Sequence, residues 1–167
     1  MKKELIERIE VGSGGASSIE FTGIPQDGVD LMLVYSMRSN STNGGIGIEF
    51  NNDSGSNYAG LRLYGQFGGV GSDSYTSYPY WQDTVSDSND TANLFSSSSF
   101  YISNYTSTAN KAGSLDSVLS LDGERAQIYA TSYATSSPIT QVKLMPGNPA
   151  AAFAEHSTAS LYKVVTE

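Results

Sequence analysis

The side chains able to do chemistry are few and scattered along this chain. Asp53 lies in Asn51-Asn52-Asp53-Ser54-Gly55-Ser56-Asn57, and an oxygen-rich turn of that kind is a candidate for Ca²⁺. The stretch has one carboxylate and no bidentate Glu of the EF-hand type, so a hydrogen-bonded Asx turn between strands is the plainer reading. Asp83, Asp87 and Asp90 are spaced acids in a polar stretch and read the same way. Glu20 and Glu49 sit mid-strand in alternating segments. Paired carboxylates serve glycoside hydrolysis, but alternation alone puts such glutamates in solvent. His156 is the single His, which excludes a multi-His metal centre. No Gly-x-Ser-x-Gly elbow accompanies it, so His156 is expected to cap or pack the start of the last strand rather than serve a triad. With no Cys, a thiolate zinc site, a Cys nucleophile and a disulfide framework are all excluded. No cofactor is expected, and no metal beyond the Asp53 candidate.

Two segments hold residues suited to contact rather than catalysis. Tyr75, Tyr78, Tyr80 and Trp81 fall within 66–93, a stretch with Gly68-Gly69, Pro79 and an acidic tail and no stable period. It is expected to be one long inserted loop, and long connections in a compact domain are often functional. Tyr and Trp offer large, rigid contact area and anchor interfaces; they also stack on sugar rings. The competing reading is that they fold the loop down onto the body of the domain. The second segment is Lys2–Val11, where Leu5, Ile9 and Val11 share one parity with Ile6 between them. It is expected to act as an N-terminal arm (residues 1–16) able to add a strand to a neighbour.

The elements that would carry these residues are strands. Val29, Leu31, Leu33, Tyr35 and Met37 alternate with Met32 and Val34, which marks a central strand apolar on both faces. Period-two stretches recur at 18–22, 46–50, 58–65, 99–105, 112–121, 125–133, 138–145 and 158–165. Leu121-Asp122-Gly123-Glu124 reads as a turn. The stretch 148–155 reads as one helical turn or a packed loop. Without alternating helices a parallel α/β sheet is excluded. The expectation is an all-β, antiparallel jelly-roll-like β-sandwich over residues 17–167, with Leu31, Leu33, Ile48, Phe50, Leu61, Ile128 and Leu144 in its core. At 167 residues the chain makes one domain. Only 16% of residues are charged and the net charge is −8, with polarity coming from 27 Ser and 12 Thr. Such an acidic chain lacks the basic face a nucleic-acid binder needs. No apolar run reaches membrane-span length.

Several segments resemble one family as a set. They are Ser18-Ile19-Glu20-Phe21-Thr22-Gly23-Ile24-Pro25-Gln26, Asp30–Ser39, Ile48–Tyr58, Leu63-Tyr64-Gly65, Phe100–Thr106 and His156–Tyr162. Together they are similar to small β-sandwich virion proteins of tailed bacteriophages, which act as capsid decoration, head-fibre or tail-fibre proteins. The resemblance implies a non-enzymatic virion structural role and no catalytic residues. A chain of this length with no coiled-coil shaft fits a capsid decoration protein best, bound to other virion proteins such as the major capsid protein. The alternative is a fibre adhesin domain that binds a host-surface glycan. The resemblance also implies a homo-oligomer, with a trimer expected. The start Met1-Lys2-Lys3-Glu4-Leu5 has no apolar run behind it, so the expected route is synthesis in the host cytoplasm and use in the virion.

Overall fold

The computed structural model describes residues 1–78, 80–119 and 125–166. The turn expected at Leu121-Asp122-Gly123-Glu124 lies outside them. Among the described residues there are twelve strands and no helix: β1 (Lys2–Glu10), β2 (Ile19–Thr22), β3 (Asp30–Ser36), β4 (Gly45–Phe50), β5 (Tyr58–Gln66), β6 (Gly69–Tyr78), β7 (Trp81–Thr84), β8 (Ser97–Ile102), β9 (Lys111–Leu119), β10 (Arg125–Tyr133), β11 (Gln141–Pro146) and β12 (Thr158–Val165). They form an eight-stranded sheet ordered β1-β12-β3-β8-β9-β10-β5-β6 and a four-stranded sheet ordered β2-β11-β4-β7. Neighbouring strands are antiparallel throughout. The two sheets pack as a jelly-roll-like β-sandwich.

Alternation explains the shared core. Leu31, Leu33 and Tyr35 of β3, Phe100 and Ile102 of β8, and Leu161 of β12 point inward and are buried. From the small sheet, Ile19, Phe21, Ile46, Ile48, Val142 and Leu144 meet them. Burying side chains of this size contributes about 1.5–3 kcal/mol each. Trp81 lies in the middle, fully buried, edge-on to Phe50 and Phe100 with both centroids at 4.7 Å. Its indole N–H donates to the Ser132 carbonyl at 2.8 Å. A buried indole needs such a partner.

Three expectations change. Residues 66–93 are not one loop. They hold β6 and β7, and a two-residue turn at Phe67-Gly68 joins β5 to β6. Both turn residues have positive φ, 51° and 76°, the geometry that suits the right-handed twist of a hairpin. Leu61 and Ile128 are not core but 46% and 63% exposed, because the inward parity on β5 and β10 belongs to Arg62, Gln127, Tyr129 and Thr131. Glu49 is only 7% exposed rather than solvent-facing; burial raises its carboxyl pKa. Of the two readings of 148–155 the packed loop holds, with buried Phe153 bridging Ala16 and Ser39.

The N-terminal arm is also bound within the chain. β1 pairs along its length with β12, from Lys2↔Val165 to Glu10↔Thr158. An extra residue between Leu5 and Glu7 shifts the register. The bulge breaks the expected parity: Ile9 sits opposite buried Ala159, while Leu5 opposes Tyr162 and is 55% exposed. Ile6 and Ile9 pack partly against the core, and Val11 is buried. The outer edge of β1 carries Lys2, Lys3, Glu4, Glu7, Arg8 and Glu10. Charges of this density keep an edge strand from pairing with another chain, which argues against strand addition through this arm.

Candidate functional site

Eight strands cannot be covered by four. The overhang at the β10-β5-β6 end leaves the inner face of β5 and β6 looking onto the free edge of β7, and a cleft of about 420 Å³ opens there. Cross-strand register sets which side chains reach it. Asp73, Arg62 and Tyr129 lie in one row across β6, β5 and β10, so the Arg62 guanidinium bonds the Asp73 carboxylate directly. Its other nitrogen donates to Gln127 Oε1 at 3.1 Å, and its carbon lies 4.5 Å over the Tyr64 ring. The Tyr129 hydroxyl donates to the same Gln127 oxygen at 3.0 Å. Burial pushes the Tyr129 phenol well above its usual range.

Glycines seat the cleft's aromatic rings. Tyr75 opposes Gly60 across β5 and β6, and a Cβ on Gly60 would come within 2.6 Å of the Tyr75 ring. Tyr80, just before β7, lies over Gly47 of β4, where a Cβ would come within 2.8 Å of its ring. Tyr75 and Tyr78 meet edge to face at 5.1 Å. The Gln82 amide of β7 donates to the Tyr75 hydroxyl at 3.4 Å, and burial pushes that phenol up to about 12. Tyr78 is 39% exposed at the rim.

Asp83 of β7 also lines the cleft. It is 3% exposed, and one carboxyl oxygen accepts from the Tyr35 hydroxyl and from Ser98 Oγ at 3.1 Å. The other oxygen has no hydrogen-bond partner among the described residues. Burial raises the Asp83 pKa, as expected for a carboxyl removed from water.

The structure therefore brings together three of the four aromatic candidates, Tyr75, Tyr78 and Tyr80, and removes Trp81 to the core. Arg62 and Tyr129 were not singled out from sequence, and Asp83 was read only as a spaced acid of a polar stretch. A signal existed for two of the three: Arg62 holds the parity opposite Leu61 and Leu63, and Asp83 shares the parity of Trp81. The other candidates stand apart. Asp53 accepts from Gly55 N and Asn57 Nδ2 on different oxygens, both at 2.9 Å, and from the Tyr133 hydroxyl at 2.9 Å. Burial alone would raise its pKa, but these hydrogen bonds outweigh it and the carboxyl is held low. Its oxygens thus close the Asx turn, and no group of three metal-ligating side chains occurs among the described residues. His156 has an exposed imidazole, and its backbone N–H donates to Val11 O at 2.9 Å, tying the chain just before β12 to the chain just after β1. Glu20 and Glu49 face Lys143 from either side in one cross-strand row.

A second surface is unlike the rest. On the outer face of the same overhang, Leu63 opposes Ile128, Gly65 opposes Val70, and Ala126 opposes Val118. Leu61, Leu63, Val70, Val118 and Ile128 are 46–92% exposed. Leu63, Val70, Val118 and Ile128 line a shallow groove in which Asp116 is the only charged side chain among the described residues.

No family model matches this chain. No curated protein matches it either. Among solved structures, the galectin LEC-6 of Caenorhabditis elegans is similar at 12% identity, over 92% of this chain and 94% of that one, with a TM-score of 0.39. Congerin II liganded with lactose and MES is similar at 13% identity, over 86% of this chain and 98% of that one, with a TM-score of 0.32. Nothing about the cleft or the outer face is carried over from either.

Proposed function

We propose that this chain is a non-enzymatic structural protein of a tailed-bacteriophage particle, a decoration protein that docks on the outer shell. The observation that carries this reading is the outer apolar face of β5, β6, β9 and β10. Contiguous apolar surface on a soluble domain marks a contact with another protein. This one is nearly free of charge on a chain of net charge −8, so approach to an acidic shell or to a second copy meets little local repulsion. The major capsid protein is the proposed partner, and association into a closed trimer belongs to the same reading. The resemblance of the strand segments supplies the class of protein; the face supplies the surface.

The test is occupancy. Leu63→Asp and Ile128→Asp change exposed positions and should leave the melt cooperative. Particles assembled with either variant should carry much less of the protein, counted by mass spectrometry against the major capsid protein and by imaging of labelled virions. Wild-type occupancy with both variants would overturn the docking face.

A second reading, a fibre adhesin domain that binds a host-surface glycan, is favoured by the cleft, whose aromatic rim and mixed polar lining suit a small polar ligand.

A further inference from the structure

We infer that the cleft beside β7 is a binding site for a neutral saccharide unit, with Tyr78 and Tyr80 stacking on the sugar ring and the polar residues between β5, β6 and β7 receiving its hydroxyls. This inference rests on the glycan-binding reading and deepens it by fixing the ligand class.

Size comes first. About 420 Å³ falls inside the range of roughly 300–1,000 Å³ usual for small-molecule sites. Charge comes second. Arg62 is the one cation among the described residues lining the cleft, and it is spent: its nitrogens are on Asp73 and Gln127 and its face is on Tyr64. Among the described residues of the lining no free cation is left to hold a carboxylate, sulfate or phosphate. Asp73 would oppose any anion. A divalent cation is not served either, because no group of three ligating side chains exists among the described residues.

Hydrogen bonding comes third. The unpartnered Asp83 oxygen is a buried acceptor in a residue that lines the cleft. A buried acceptor left without a donor is costly, and a ligand hydroxyl, directly or through one ordered water, is a donor of the right kind. Gln82 and Thr84 add side-chain donors and acceptors to the same lining. Shape comes last. Tyr80 and Tyr75 are held in place by close seats on Gly47 and Gly60, so the aromatic surfaces exist before a ligand arrives and little is lost in ordering them. An apolar ring face edged by hydroxyls, with no net charge, is the ligand that satisfies all four conditions.

The experiment uses the full chain in ligand-observed saturation-transfer NMR, followed by titration. The neutral probes are the methyl glycosides of glucose, galactose and mannose, and N-acetylglucosamine; the acidic probes are N-acetylneuraminic acid and glucuronic acid. Transfer to at least one neutral probe is expected, with affinity in the millimolar range, and none to the acidic pair. Tyr78→Ala and Tyr80→Ala should each weaken the titration about tenfold, equivalent to about 1.4 kcal/mol for the lost stacking partner, with circular dichroism unchanged. Ile128→Asp, on the opposite face, should bind like the wild type. Transfer to the acidic probes alone overturns the neutral class while leaving glycan attachment standing. Absence of transfer to every probe overturns both. Binding that survives both tyrosine substitutions overturns the site.

Discussion

Replacing Trp81 by Ala should come close to unfolding the domain. The residue is fully buried and touches both sheets: its ring meets Phe50 and Phe100 edge-on at 4.7 Å and Tyr58 at 6.0 Å. Large-to-small changes of buried aromatics cost about 3–5 kcal/mol. The Ser132 carbonyl also loses its indole donor, and a hydrogen bond of this kind contributes about 1 kcal/mol net. A domain of this size has about 5–15 kcal/mol in total, so Trp81→Ala removes a large part of it. Trp81→Phe keeps most of the edge contacts and should cost about half as much. Urea unfolding followed by circular dichroism measures both, since the chain has a single Trp and its fluorescence goes with it. Tyr78→Ala, at the exposed rim, serves as the reference and should stay within about 1 kcal/mol of wild type. A Trp81→Ala cost below about 1 kcal/mol would mean that the side chain does not join the two sheets and that β7 is misplaced.

Three further outcomes are expected. Asp83 has a folded-state pKa raised above its unfolded one, so the stability it contributes is full below the ordinary aspartate range and lost as pH rises through the raised value. Asp83→Asn should therefore flatten the fall in stability between acid and neutral pH, measured as thermal midpoints across that range; parallel profiles for the two proteins would refute this. Gly60→Ala places a methyl group within 2.6 Å of the Tyr75 ring and should displace Tyr75 from the cleft, seen as shifted Tyr75 resonances and lost ligand response with the fold retained. Removing residues 1–10 strips β1 from β12 and bares the inner side of Leu161 and Ala159; the midpoint of thermal unfolding should drop by several degrees, and an unchanged midpoint would mean that β1 is not docked in solution.

Much of the sandwich was legible because its central strands obey one rule. Leu31, Leu33, Tyr35 and Met37 alternate, and the structure buries all four. The same rule failed on β5 and β10, where it identified a face but not which side was covered. Leu61, Leu63 and Ile128 are the apolar parity, yet the side turned toward the other sheet bears Arg62, Gln127 and Thr131. Hydrophobicity cannot reveal an overhang, because coverage depends on the number of strands in the opposing sheet. β6 was illegible for a related reason. Gly69–Tyr78 has almost no apolar alternation, and its strand conformation comes from pairing with β5 rather than from burial. Trp81 was grouped with the contact aromatics, but the bend at Tyr80, immediately before β7, turns it inward, so for this residue the competing reading holds. The Tyr75, Tyr78 and Tyr80 cluster was visible as composition; its companions Arg62 and Tyr129 come from strands far along the chain and meet it only through register.

The mismatch of eight strands against four also sets a gradient of motion. β3, β8 and β12 are paired on both edges and covered on one face, so their amides exchange only when the whole domain opens. β6 has one partner strand, one open edge and little buried surface, so it frays on its own at far lower free energy. The cleft thus has one stiff wall, built on β7 and β10, and one soft wall, built on β6. Its width is set by the hairpin that turns at Phe67-Gly68, whose breathing times how quickly anything held there can leave.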